Sequence, residues 1–416
     1  MDDALVAIAA LVACLIKPEG ADRVARLTST LAAVYAVSLK AFFIMAYDYD
    51  SSVLQTAVDV AQPGGCALAV FGAGSLAPLL LQPDTHVVVS AVFQCTAALL
   101  SLYFARGLYR RQVVGKTFVL TKLEGRVYII TGSNTGLGFE TTKEIVRMGG
   151  VVVMACRSMD KATAAREVIL KETDCKPFQL ILLELDLNSF ASVRRFASDF
   201  DKLGLPLHCL INNAGLMMSE RNVTPDGLEM VFTANHLSAF LLTSLLIPSL
   251  EEGARKYKAH SRIVNVSSSL HRISKAFNFD DVMSEKKYEL FATYGMSKLA
   301  NILFTFELQR RLSKKNSRIV TNCLHPGFVR TEVTRHMNAF LFWGDKLATP
   351  VMLTLQKTPP QGAYCTVHVA TSQNLEGSGG QYFVNCEPSE PSQGARNEPD
   401  ATKLWDLSCK LTKAKW

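Results

Sequence analysis

The chain has 416 residues, 49% of them hydrophobic, and a positive mean hydropathy, which is more apolar material than one ordinary soluble domain carries. Its formal charge of +7 is modest and the 44 Lys and Arg residues are dispersed, so no basic block points to nucleic-acid binding. The 10 cysteines are scattered singly, with no C-x-x-C and no Cys/His cluster at zinc spacing; they predict reduced, mostly buried thiols in a cytosol-like compartment and no metal site.

The apolar excess lies at the front. Leu27–Tyr47 and His86–Leu108 each supply roughly 20 residues, enough for a helix to cross a ~30 Å hydrocarbon core. Ala4–Ile16 is shorter and Gly64–Leu81 is interrupted by Gly and Pro, so each fits a short span, a re-entrant segment or an interfacial helix. Asp2 and Asp3 stand where a signal peptide needs positive charge. Lys17, Arg23 and Arg26 precede the first strong span, and Arg106, Arg110, Arg111 and Lys116 surround the end of the second. The loop between carries Asp48, Asp50, Asp59 and Asp84, so the charges favour a two-span hairpin with both flanks cytosolic. Residues 1–112 are therefore expected to form a membrane-embedded region with at least two spans, about 27–47 and 86–108. A buried helical bundle competes with this reading, but such helices carry a polar stripe that these lack.

From Gly115 the texture changes to short apolar runs alternating with amphipathic stretches. "GRVYIIT" predicts a buried strand, "FETTKEIVRMG" a helix closed by glycine, and "VVVMACR" a second strand. A helix around Lys161–Glu172, a strand in "FQLILLELDL", a helix in Phe190–Leu203 and a strand in "LHCLINNAG" follow. This order predicts an α/β fold, a doubly wound parallel sheet of the Rossmann type, over 118–416. The polar stretch Glu387–Asp400, with its Pro and Ser residues, predicts a surface loop.

Between the first strand and helix lies Thr131-Gly132-x-x-x-Gly136-x-Gly138, where backbone N–H groups and a helix N-terminus can face a pyrophosphate. The spacing departs from G-x-G-x-x-G and resembles that of the short-chain dehydrogenase/reductase superfamily. That resemblance extends in order to Asp186, to Asn212-Asn213-Ala214-Gly215, to Asn235 in "ANHLSAF", to "RIVNVSSSLH", to Tyr294-x-x-x-Lys298 and to "HPGFVRT". Taken singly, each has a plainer explanation: Asn212 and Asn213 suit turns, Asn235 a helix cap, and Ser267–Ser269 the polar end of a strand. The phrases "TGSNTGLGFETT", "LINNAGLMM", "SKLANILFTFELQRRL" and "KTPPQGA" are similar to the retinol dehydrogenase and WW-domain oxidoreductase branch. The likeness covers roughly Gly125–Leu411 and leaves the first hundred residues unexplained.

Hydride exchange at an alcohol carbon needs a group that moves the hydroxyl proton, and tyrosine with a pKa of about 10 is a poor base at neutral pH. Tyr294 and Lys298 stand four apart on one helix face, so the ammonium is expected near the phenol, favouring its ionised form. The resemblance implies that Tyr294 exchanges the proton, Lys298 also holds the nicotinamide ribose, and Ser268, ahead of Ser267 and Ser269, orients the substrate oxygen. It also implies that Asn235 fixes a helix kink and a proton-relay water. Gly132, Ser133, Asn134, Gly136, Leu137 and Gly138 would cradle the cofactor, joined by Asp186, Leu187, Asn213, Ala214, Gly215, Val329 and Thr331.

At the end of the second strand, where an acid would bond a ribose 2′-OH, the sequence places Arg157, with Lys161 nearby. This predicts NADP(H). The sequons at Asn222 and Asn265 are discounted as glycosylation sites, since Asn265 falls in the predicted catalytic strand. The expectation is a membrane-anchored NADP(H) oxidoreductase of a lipophilic alcohol/carbonyl pair, its catalytic domain on the cytosolic face of a membrane such as the endoplasmic reticulum. Retinal, a steroid ketone and a polyisoprenoid alcohol suit it equally. A catalytically silent NADP(H)-binding scaffold is the alternative. The apolar face of "SKLANILFTFELQRRL" fits a homodimer interface or the core.

Overall fold

The computed structural model describes residues 118–329 and 356–416. The predicted spans and their flanking charges, Thr331, and nearly all of the apolar segment after "HPG" lie outside these residues.

The element order is β1 (Val127–Thr131), α1 (Gly136–Arg147), β2 (Val151–Cys156), α2 (Met159–Thr173), β3 (Leu180–Glu184), α3 (Phe190–Lys202) and β4 (Leu207–Asn212). Then follow α4 (Ser238–Tyr257), β5 (Ser261–Val266), α5 (Leu290–Lys314), β6 (Ile319–His325), α6 (Pro359–Thr371), β7 (Tyr382–Val384), β8 (Glu387–Ser389) and α7 (Glu398–Thr412). The eight strands form one sheet in the order β3-β2-β1-β4-β5-β6-β7-β8, parallel throughout except for β7 against β8. The sequence order reverses between β1 and β4, and a crevice opens at the carboxyl ends of strands at such a point.

Strands buried on both faces need no polar alternation, which is why β1 and β2 read as nearly continuous apolar runs. Their side chains still divide by parity between two cores. Val127, Ile129, Val153 and Ala155 join Phe196, Phe200, Phe240, Leu303 and Trp405 on one face. Tyr128, Ile130, Val152 and Met154 meet Ile145, Val146 and Ile169 on the other. The apolar residues of "SKLANILFTFELQRRL" that left dimer and core open include Leu299, Ala300, Ile302, Leu303 and Phe304, all in the first core.

Three sequence expectations shift. The strand expected from Phe178 starts at Leu180, because Pro177–Gln179 forms a 3₁₀ turn that leaves Phe178 70% exposed. The first helix starts at Gly136, three residues before the expected Phe139. The predicted loop Glu387–Asp400 is instead the edge strand β8, a 3₁₀ turn over Gln393–Arg396 and the start of α7. Pro388 is compatible with an edge strand, and Asn397 caps α7 by accepting from the Asp400 N–H at 3.1 Å, so composition alone misread a structured segment.

Among the described residues one helical stretch, Met230–Tyr257, is long and apolar enough to cross a membrane by length and composition. Of its most apolar window 83% is buried against the rest of the domain, which makes it a core helix.

Candidate active site

The glycine-rich turn closes on itself through backbone proximity. A Cβ on Gly138 would meet the Gly132 carbonyl oxygen and stand 2.6 Å from Asn213 Nδ2, so the helix can start this close to the strand only with glycine there. Gly136, at φ +57°, has nothing within 4 Å of the place where a Cβ would project. Asn134 and Leu137 are half-buried, and Leu137 packs beside Gly362 and Val329. Ser133 differs from its neighbours, since its hydroxyl is buried 3.3 Å from Cys156 Sγ.

The end of β4 is tied to the same turn. Thr131 Oγ1 accepts from the N–H groups of Asn213 (3.0 Å) and Ala214 (2.9 Å), and Asn213 Nδ2 donates to the Thr131 carbonyl at 2.8 Å. Asn213 Oδ1 is left buried without a hydrogen-bond partner. Gly215 passes Lys298 and Asn235 closely: a Cβ there would lie 3.1 Å from Lys298 Nζ and 3.4 Å from Asn235 Oδ1. Asn212, by contrast, turns inward, donating to Asn265 Oδ1 (2.8 Å) and Thr243 Oγ1 (3.2 Å), and acts as internal bracing. A buried orphan oxygen and an open glycine cradle at a switch point fit a dinucleotide.

Arg157 is exposed where β2 ends, and Ser158 caps α2 by accepting from the Lys161 N–H at 3.4 Å. A cation, a hydroxyl and a helix N-terminus thus share one rim of the crevice. Asp186 spends one carboxylate oxygen on the Asn188 N–H (2.9 Å), and the Leu187 carbonyl accepts from Ser238 Oγ at 2.6 Å. Val329 pairs in a parallel bridge with Lys357.

Tyr294 and Lys298 lie one turn apart on α5, 8% and 2% exposed, with Lys298 Nζ 5.6 Å from the Tyr294 ring centroid. The expected ammonium–phenol effect is not what the structure displays. Lys298 Nζ donates to the Val266 carbonyl at 2.9 Å, and burial pushes the lysine down to about 8. Burial also drives Tyr294 up to about 12, against a hydrogen bond with Ser268 that favours the ionised phenol. The reason is that both groups are withdrawn from water, and each charged form is penalised.

The three serines separate cleanly. Ser267 Oγ donates to the Lys298 carbonyl at 2.8 Å and is committed to structure. Ser268 Oγ accepts from the Leu270 N–H at 3.2 Å and is the one of the three that favours the ionised phenol, while Ser269 contributes its backbone N–H to His325 Nδ1 at 3.1 Å. Asn235 lies in a π-helical turn, Thr233–Leu237, at the head of α4, and so is not a cap. Its Oδ1 accepts from the Leu216 N–H (2.8 Å) and its Nδ2 donates to the Leu216 carbonyl (3.0 Å) and to Ser297 Oγ (2.9 Å). Single π turns of this kind recur at functional sites. The implied kink is present, and it ties the "NNAGLMM" segment to the helix of Tyr294. Around the phenol stand Leu216, Met217, Met218, Val231, Leu270 and Leu290, an apolar lining.

Two residues here were assigned no role from the sequence, although Lys357 opens the phrase "KTPPQGA". Glu229, fully buried, accepts from the Val231 (2.8 Å) and Phe232 (2.6 Å) N–H groups and caps the turn that leads to Asn235. Lys357, 3% exposed, donates to Asn385 Oδ1 at 2.8 Å, while its backbone N–H holds the Phe328 carbonyl at 2.8 Å, bracing the segment after "HPG". The capping acid before an apolar turn was a readable signal for Glu229; nothing local marks Lys357.

A doubly wound sheet, a glycine cradle at its switch point and an Asn–Ser–Tyr–Lys set in which Asn235, Tyr294 and Lys298 are buried and Ser268 half-buried define a dinucleotide-dependent oxidoreductase. The sequence matches the short chain dehydrogenase family over residues 126–341, and the chain belongs to that family. Retinol dehydrogenase 12 of Homo sapiens is 40% identical over 315 residues, covering 76% of this chain and 92% of that one. Retinol dehydrogenase 11 of Homo sapiens is 42% identical (74% and 93% covered), and polyprenol dehydrogenase of Homo sapiens 38% (69% and 85%). Among solved structures, an uncharacterised protein from Mycobacterium paratuberculosis aligns with a TM-score of 0.56 at 31% identity, over 73% of this chain and 98% of that one. The RhlG/NADP active-site complex of Pseudomonas aeruginosa aligns at 0.50 with 21% identity, over 66% and 98%, a likeness of fold. The protein is an oxidoreductase acting on CH–OH groups.

Proposed function

We propose that the protein is a membrane-anchored, NADP(H)-dependent oxidoreductase of a lipophilic alcohol/carbonyl pair. The observation that carries this reading is the packing of Tyr294 in one apolar cluster with Leu216, Met217, Met218, Val231, Leu270 and Leu290, which sets the proton-moving hydroxyl beside a surface suited to an apolar skeleton. Ile273, 51% exposed, lies beside Gly295 of α5, and Phe291, 45% exposed, stands in the first turn of the same helix. The names of the human relatives, retinol and polyprenol dehydrogenases, agree with such a substrate.

The glycine turn, Asn213, Gly215, Val329 and Lys298 would hold the dinucleotide, and Arg157 with Lys161 and the N-terminus of α2 would accept a 2′-phosphate. When bound, the nicotinamide supplies the hydride acceptor or donor. Ser268 holds the substrate oxygen beside the Tyr294 hydroxyl, which moves the proton. Burial keeps water from the phenol and leaves Lys298, near 8, able to take up or release a proton at cellular pH. Asn235 keeps the π turn and Leu216 in place at the wall of the pocket. The two spans expected within 1–112 would let substrate enter from the bilayer.

Membranes carrying the full chain are expected to oxidise NADPH with retinal, a steroid ketone or a polyprenal, and Tyr294→Phe to lower that turnover by roughly 10²–10⁴-fold. Turnover that survives in Tyr294→Phe would refute the assignment. NADPH binding with no Tyr294-dependent turnover of any of the three would favour the silent scaffold.

A further inference from the structure

The peptide unit between Ser268 and Ser269 is held at both poles by imidazoles. Its carbonyl lies 2.6 Å from His271 Nδ1 and accepts also from the His271 backbone N–H at 3.1 Å, while its N–H donates to His325 Nδ1 at 3.1 Å. His271 is fully buried, and its far nitrogen, Nε2, accepts from the Ser392 N–H at 3.1 Å. These partners settle its proton. A carbonyl only accepts, so Nδ1 must carry hydrogen; a backbone N–H only donates, so Nε2 must present a lone pair. The ring is neutral, in one tautomer, with its orientation fixed by chain 121 residues further on. Tyr382 packs against it edge-on at 5.4 Å between centroids.

We infer that His271 is a positioning residue, which sets the rotation of the Ser268–Ser269 peptide and so aims the Ser268 hydroxyl at Tyr294. This inference rests on the oxidoreductase reading above. The turn that follows this peptide presents the Leu270 N–H to Ser268 Oγ at 3.2 Å, so a rotation of the peptide withdraws the donor that fixes the hydroxyl, and a hydroxyl positioned for a reacting oxygen tolerates little displacement. The backbone N–H of His271 alone cannot supply this, since it shares the 3₁₀ turn Ser269–Ile273 that would rotate with the peptide.

The test exploits the two nitrogens separately. In His271→Asn the amide Nδ2 takes the place of Nδ1 and can still donate to the Ser268 carbonyl; in His271→Gln the amide reaches the place of Nε2 and can accept only from Ser392. Turnover of the full-length protein in membranes, and Tyr294 titration in detergent by ¹³Cζ-tyrosine NMR, assigned by difference from Tyr294→Phe, are measured for both, with Ser268→Ala as reference. The expected result is kcat near wild type in His271→Asn, about 10-fold lower in His271→Gln with cofactor KM unchanged, and a Tyr294 midpoint raised in His271→Gln as in Ser268→Ala. Rescue by Gln and not by Asn, or equal kcat loss in both with an unmoved Tyr294 midpoint, would overturn the inference. The titration needs no substrate, so a wrong substrate class leaves the His271 result readable, whereas loss of Tyr294-dependent turnover with an intact His271 pattern would count against the oxidoreductase reading alone.

Discussion

Burial dominates the acid–base character of Tyr294 and Lys298, the proposed catalytic pair. Lys298 is held near 8 from an ordinary 10.5, so between those values the unfolded chain binds more protons than the folded one, and stability contributed by this group rises with pH across that window. Comparing thermal or denaturant unfolding of wild type and Lys298→Met at pH 7.5 and 9.5 without cofactor should show the wild type gaining about 2 kcal/mol relative to the variant at the higher pH. A second prediction concerns Arg157, whose exposed side chain shares a rim with the α2 N-terminus. Arg157→Asp should weaken NADPH binding by 10-fold or more and shift preference to NADH, measured as the ratio of the two dissociation constants; charge-assisted hydrogen bonds of about 1.5–3 kcal/mol set that scale.

At the scale of elements, the site depends on how α4 begins. The carboxylate of Glu229 caps Met230–Phe232, and the π turn that carries Asn235 follows at once. Glu229→Ala would leave two buried N–H groups unpaired and cost about 1–3 kcal/mol of stability, with kcat falling through misplacement of Asn235; Glu229→Gln, which keeps an acceptor, should recover most of both. Denaturant midpoints and single-turnover rates measured side by side test this. The beginning of α1 is equally constrained, because Gly138→Ala would push a methyl group into the Gly132 carbonyl and Asn213. Loss of NADPH binding beyond the loss of stability is expected, read by cofactor titration of the folded variant.

For the whole molecule, the domain closes through its C-terminus. Trp416 packs at 4.5 Å from Trp405 and edge-on at 5.0 Å from Phe240, and Ser408 Oγ lies 2.9 Å from His236 Nε2 in the π turn, so α7 props that turn, which carries Asn235 at the head of α4, from behind. The expected anchor is a property of the whole chain as well. Full-length protein should stay with membranes through alkaline carbonate extraction, and a chain starting at 113 should be released from them, measured by sedimentation and immunoblot.

What the sequence by itself determined was whatever a few adjacent residues decide through backbone geometry: the glycine turn between strand and helix, the four-residue spacing of Tyr294 and Lys298, the buried character of the first strand, and Arg157 at a strand end. Phrase-level resemblance then named the family. What only the tertiary structure decided were choices among equivalent neighbours and pairings across distance. Ser268 differs from Ser267 and Ser269 because of where Lys298, His325 and Tyr294 stand. His271 meets Ser392, and Lys357 meets Asn385, through folds of the chain that leave no local signature. The upward displacement of the Tyr294 pKa belongs here too, since desolvation is set by everything packed around a group and by nothing in its own residue type.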